Sequence, residues 1–272
     1  MTTGTGEPVV AILDEEWKAI DALARDLAEA EWDLPSECPG WTVRDVLSHL
    51  IGTERSLLGD PPPPPLEELP PHVANEIGAR NEAWVVARRS LPGRAVLDEF
   101  RDVTARRLAD LRSSPPARFD EVGPSPVGAV PYREFMRVRI MDSWVHEQDM
   151  RVATGRPGHD SGPAAQLSLE RLSSAMPFVV GKQAEAPEGT SVRFELRGAM
   201  PRKIDVVVRD GRAQTTALEG RPAVVLDMGV EAFWRLACGR VDGQSARLAG
   251  LVVVDGDAEI ASRVLDAMAF MI

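Results

Sequence analysis

The chain is poor in lysine, cysteine and tyrosine. Of its 31 basic residues only Lys18, Lys182 and Lys203 are lysine, and 272 residues contain 2 cysteines and 1 tyrosine. Cys38 and Cys238 are too few to staple a fold of this length, which excludes a disulfide scaffold. Neither lies in a CxxC arrangement, so both are expected to be buried thiols. No apolar stretch approaches the roughly 18 residues of a membrane span. The first ten residues carry no basic segment followed by an apolar run, so no signal peptide is read and a cytoplasmic protein is expected. Positive charge is also lacking. The formal net charge is −11, and a phosphate backbone rewards a basic face, so nucleic acid is not an expected partner. The glycine-rich phosphate loops GxGxxG and GxxxxGK[ST] are absent, as is the GxSxG nucleophile elbow. The strong arginine bias among the basic residues suits a GC-rich genome.

Apolar residues make up 44% of the chain and charged residues 27%, enough for a packed core in two domains. The hydrophobic pattern changes near residue 157. Before it, the period is helical. Leu13, Trp17, Ile20, Ala24 and Leu27 step by four and three, which predicts a helix over 9–31. Thr42-Val43-Arg44-Asp45 reads as a capping box opening a second helix that ends by Gly59. The proline run 61–65 predicts an extended linker. Helices follow near 72–90 and 93–112, then a Pro/Gly-rich loop over 114–130, then a helix from Pro131 to Gly155. After 157 a helix over 163–181 precedes alternating strands at 192–196, 204–208 and 214–218, with Asp210-Gly211 as a hairpin turn. A strand at 224–228, a helix at 231–238, a strand at 251–254 and a final helix ending near Met271 complete the pattern. The expectation is a four-helix bundle with an extra helix, then a small α+β domain.

The chemistry concentrates in the helix Pro131–Gly155. Val138, Met141, Val145 and Val152 form its apolar seam. Beside them runs a second row, Phe135, Arg139, Asp142, His146, Asp149 and Ala153, whose middle is entirely ionisable. Four such groups beside a core stripe need partners; Arg139 and Asp149 could pair across the row. Asp142 and His146, at i and i+4, point from one face at adjacent turns and can reach one metal ion. His49, on the flank of the second helix's apolar face, is the natural third ligand. Two His and one carboxylate leave an open position, and the set suits zinc, iron or nickel. His72 and His159 follow loop segments and are expected to be solvated. The six tryptophans are expected in the core or as pocket walls.

These residues also carry a family resemblance. The segment from Cys38 through Trp41, Thr42 and His49 to Leu50 resembles the start of the second helix in the mycothiol-dependent maleylpyruvate isomerase-like family, a branch of the DinB-like bundles. Asp142-Ser143-Trp144-Val145-His146-Glu147-Gln148-Asp149-Met150-Arg151 resembles its helix-four signature. Trp234 to Arg240 and Leu251 to Asp257 resemble the family's small C-terminal domain, which is similar to sterol carrier protein folds. The resemblance implies a DinB-like metal-binding bundle over 8–156 and a sterol-carrier-like α+β domain over 160–272. It implies a divalent metal, usually zinc, on His49, Asp142 and His146. The isomerase pattern has Glu where this chain has Asp142, one methylene shorter.

The implied activity is that of a metal-dependent enzyme activating a low-molecular-weight thiol, mycothiol, against a small-molecule electrophile, as an S-transferase or cis–trans isomerase. Arg139, Asp149 and Arg151 are then candidates for orienting ligands or receiving an anionic substrate, with Arg235 or Arg240 offered from the C-terminal domain. Two other readings keep the same residues: a non-catalytic metal- or ligand-binding protein, and a metal-assisted hydrolase that uses no thiol. No exposed apolar seam defines an oligomeric state.

Overall fold

The computed structural model describes residues 7–218 and 220–271. The chain divides into two compact units, Met1–Ala165 and Gln166–Ile272.

The first unit is a helical bundle. Helix α1 (Pro8–Arg25) packs against α4 (Gly93–Ser113) and α5 (Tyr132–Thr154), and α2 (Val43–Leu57) packs against α3 (Glu76–Val86), α4 and α5. Its core takes the apolar faces read from the sequence: Leu13, Trp17 and Ile20 on α1, Val43, Val46, Leu47 and Leu50 on α2, Val96, Phe100 and Val103 on α4. The capping box at the start of α2 forms in both directions. Thr42 Oγ1 accepts the Asp45 N–H at 3.3 Å and Asp45 accepts the Thr42 N–H at 3.1 Å. Gly155 closes α5 in the left-handed conformation, at φ 63°, where a Cβ would be strained.

Several boundaries differ from expectation, each for a local reason. The first helix stops at Arg25, six residues early, and Glu29–Asp33 forms a separate 3₁₀ turn. Glu31 accepts the Ala28 N–H at 2.7 Å, opening a new turn that buries Trp32. The helix expected over 72–90 is α3, shorter at both ends and N-capped by Asn75. The loop expected over 114–130 contains a 3₁₀ turn that buries Phe119 and a hairpin, β1 (Val122–Ser125) with β2 (Gly128–Pro131). Both strands are short and largely exposed, so no hydrophobic alternation marks them. Val152, placed in the apolar seam of α5, is 37% exposed because it lies in the helix's last turn.

The second unit is a five-stranded mixed sheet with helices. Helix α6 (Pro163–Ser174) is followed by the single turn α7 (Met176–Phe178) and a π-helical turn at Val179–Gln183, where an unbroken helix over 163–181 was expected. The strands are β3 (Ser191–Arg197), β4 (Arg202–Arg209), β5 (Arg212–Thr215), β6 (Val224–Gly229) and β7 (Val252–Gly256), in the order β5-β4-β3-β6-β7. Only the central β3/β6 pair is parallel. Asp210 and Gly211 both take positive φ, and both N–H groups are held by Glu188 at 3.0 Å. That tight turn starts β5 at Arg212, earlier than the alternation suggested. Helix α8 (Val230–Ala237) packs on β3 and β6, with Phe233 edge-on to Phe194 at 6.3 Å. Helix α9 (Gly243–Leu248), capped by Asp242, was not expected. Helix α10 (Ala258–Asp266) ends before Met271, whose N–H instead bonds the Ala237 carbonyl at 3.2 Å.

Candidate metal centre

Helices α2 and α5 bring His49, Asp142 and His146 together. Each offers one ligand atom, and these atoms all lie within 4.8 Å of one another. His49 Nε2 is 3.4 Å from Asp142 Oδ2, and His146 Nε2 is 3.8 Å from Asp142 Oδ1. The two imidazoles stand edge to face, 4.8 Å between centroids. Both are buried, whereas the Asp142 side chain is 27% exposed. The carboxylate is thus the most exposed of the three groups.

The surroundings hold each group in one chemical form. Asp149, fully buried, accepts from His146 Nδ1 at 2.9 Å. That fixes the ring proton on Nδ1 and turns the Nε2 lone pair toward Asp142 and His49, the arrangement that metal-ligating histidines commonly use. Cys38 donates its thiol to the same Asp149 oxygen at 3.1 Å. Burial pushes the Asp142 carboxyl up, but the Arg139 guanidinium, donating at 2.6 Å, and then His49 overcome it and hold the pKa well below the usual carboxylate range. Burial outweighs Asp142's attraction at His49 and pushes that imidazole below its ordinary value. His49 Nδ1 is buried and has no hydrogen-bond partner among the described residues.

Arg139 does not pair with Asp149 as the row spacing suggested. It bridges Asp142 and the buried Glu54 of α2, with Nε donating to Glu54 Oε1 at 2.8 Å. Glu54 accepts in turn from Arg107 of α4 at 3.2 Å. Both arginines are buried because both are neutralised. Glu54 escaped the sequence reading, although a carboxylate one helical turn beyond Leu50 and Ile51 on an apolar face was a usable signal.

Trp41 forms the wall. Its ring lies 5.2 Å from His49 and 6.2 Å from His146. Glu82, fully buried on α3, accepts the indole N–H at 2.8 Å and also binds Arg89 at 2.8 Å. His72, expected in solvent, is 3.1 Å from the same carboxylate. Its ring lies against Gly40, where a Cβ would come within 2.6 Å of it. His159, also expected in solvent, is instead 2.5 Å from buried Glu147. Neither histidine's partner was visible from local spacing. Arg151 binds Glu147 at 2.6 Å, on a different side of α5 from the triad. Arg235 and Arg240 belong to the second unit, where Arg240 donates to the Cys238 carbonyl at 2.7 Å.

The donor set fits a divalent ion of the zinc class. It offers two imidazoles, one with its second nitrogen anchored on a carboxylate, and a third ligand kept ionised by an arginine.

A helical bundle with this triad, in one chain with a sterol-carrier-like α+β unit, defines the class of protein. The chain belongs to the mycothiol maleylpyruvate isomerase N-terminal domain family, whose model matches residues 13–151. Residues 169–268 match the SCP-2 sterol transfer family. Among curated relatives, the uncharacterized protein Rv0738 of Mycobacterium tuberculosis (strain ATCC 25618 / H37Rv) is 28% identical over 173 residues, 62% of this chain and 80% of the relative. Another, Rv0036c of the same strain, is 28% identical over 151 residues, 54% of this chain and 57% of the relative. The crystal structure of the mycothiol-dependent maleylpyruvate isomerase superposes with a TM-score of 0.61 at 18% identity, covering 92% of this chain and 93% of that one. A mutant of that isomerase gives 0.57 over the same shares. At this identity the likeness establishes the fold.

Proposed function

We propose that this chain is a metal-dependent enzyme that activates a low-molecular-weight thiol, mycothiol, for attack on an electrophilic small molecule, as an S-transferase or a cis–trans isomerase. The observation that carries the reading is the convergence of His49, Asp142 and His146, with Asp149 anchored behind His146. Family membership supports the thiol, and the residues themselves support the metal. His49, Asp142 and His146 would hold the ion. A zinc-class ion held there would supply the positive charge that keeps a thiol in its thiolate form at neutral pH.

The chain's own residues supply the rest. Asp149 keeps the proton on His146 Nδ1, so Nε2 remains a donor to the ion. Arg139 keeps Asp142 ionised and, through Glu54, ties the α5 ligands to α2. Trp41 packs beside both imidazoles and is held there by Glu82, which accepts its indole N–H. The partly exposed edge at Asp142 admits the thiol and its electrophile. The new sulfur–carbon bond is kept in a transferase. In an isomerase it breaks again after the former double bond has rotated.

The test is metal analysis of the purified protein against His146→Ala, followed by cobalt substitution and titration with mycothiol. Near-stoichiometric metal lost in the variant, and a sulfur-to-cobalt charge-transfer band that grows with mycothiol, are expected. Metal that binds with no spectral response to thiol would instead favour the hydrolase or binding-protein reading.

A further inference from the structure

A second cluster lies on a different side of α5. Glu16 of α1, Glu147 of α5 and His159 from the segment after α5 offer ligand atoms that all lie within 4.8 Å of one another. His159 Nδ1 is 2.5 Å from Glu147 Oε2 and 3.7 Å from Glu16 Oε2. The other Glu147 oxygen is taken by Arg151, at 2.6 Å from Nη2 and 2.8 Å from Nε.

Glu16 is the anomaly. It is fully buried, and neither of its carboxylate oxygens has a hydrogen-bond donor among the described residues. A buried carboxylate without a donor is costly. Beside it, within 4.8 Å, is another carboxylate, Glu147, itself fully buried. Burial, then the charge of Glu147, pushes the Glu16 pKa well above the ordinary value. Two carboxylates and Arg151 leave one negative charge without compensation. Only a proton or a cation can supply it.

The site is also built to stay in place. His159 adopts a left-handed backbone, φ 52°. Its carbonyl accepts from Trp144 Nε1 at 2.9 Å and from Gln148 Nε2 at 3.3 Å. The imidazole is thereby pinned over the two carboxylates. Two carboxylate oxygens and one imidazole suit a divalent first-row ion better than calcium or magnesium, which prefer all-oxygen shells.

We propose that Glu16, Glu147 and His159 form a second divalent-cation site of the zinc class, which ties α1, α5 and the segment after α5 together. It is independent of any chemistry at the first triad. His146 and Glu147 are consecutive, so they point about 100° apart around the helix axis. The first triad joins α5 to α2, and the second joins it to α1.

The experiment uses the full chain with Zn²⁺ as the probe. After loading and dialysis, metal analysis is expected to give two ions per chain in the unaltered protein. One should remain in His49→Ala/His146→Ala and none after Glu16→Gln is added. In the double-histidine variant, excess Zn²⁺ at a hundred times Kd should raise the melting temperature by roughly 5–10 °C. That rise should vanish with Glu16→Gln or with His159→Gly; glycine accepts the left-handed backbone and removes the donor. The proposal is overturned if the folded double-histidine variant holds no zinc and shows no rise. It is equally overturned if zinc and rise persist through both Glu16→Gln and His159→Gly. Should Glu16→Gln not fold, His159→Gly decides alone.

Discussion

At the scale of single residues, what counts is which proton is held where. Asp149 fixes the tautomer of His146, so Asp149→Ala should weaken zinc binding by about 10–100-fold, read by competition with a chelator. Cys38→Ser keeps a donor to the same carboxylate and should leave affinity largely unchanged. The pH dependence follows from His49 and Asp142. Burial lowers the His49 pKa, so as pH falls through about 6.5 the unfolded chain takes up a proton that the folded chain refuses. Stability of the metal-free protein should therefore drop between pH 7 and 5.5 in denaturant titrations, and His49→Gln should flatten that slope. Asp142, whose pKa is depressed, contributes stability above the ordinary carboxylate value and loses it only in stronger acid. The triad was readable because Asp142 and His146 share one helix face. Glu54, Glu82, His72 and His159 were not assigned their partners, because those partners lie on other elements and local periodicity carries no information about them.

At the scale of elements, capping chemistry marked the boundaries best. Thr42 with Asp45, Gly155, and the Asp210-Gly211 turn each announce themselves in two to four letters, and each forms in the structure. Thr42→Ala should cost about 1 kcal/mol, measured by chemical denaturation, since it removes one N-cap bond to a helix start that is buried. The elements that escaped notice, the β1/β2 hairpin and α9, are short and partly exposed. Their segments bury too few apolar side chains to impose a period, so tertiary and capping interactions decide them.

At the scale of the whole molecule, the hydrophobic period changes near 157, and the two compact units divide at 165/166 into a mainly helical one, which includes the β1/β2 hairpin the sequence did not announce, and an α+β one. The candidate ligands His49, Asp142, His146, Glu16, Glu147 and His159 all belong to the first unit. Chelation should accordingly raise amide exchange in α1, α2 and α5 and leave β3 to β7 unchanged, a result that hydrogen-exchange mass spectrometry reads directly. A rise spread evenly over both units would contradict that assignment.

Within α5, Asp149 holds His146, Arg151 holds Glu147, and Arg139 spans Asp142 and Glu54 of α2. Every one of these obligations is set by angle around a single axis. One residue inserted between Asp142 and Arg151 would swing everything beyond it by about 100° and break partners on both sides at once. An insertion or deletion within this stretch should therefore be far more damaging than one in the loops, a contrast that a stability comparison of single-residue insertions in α5 and in 61–65 would read.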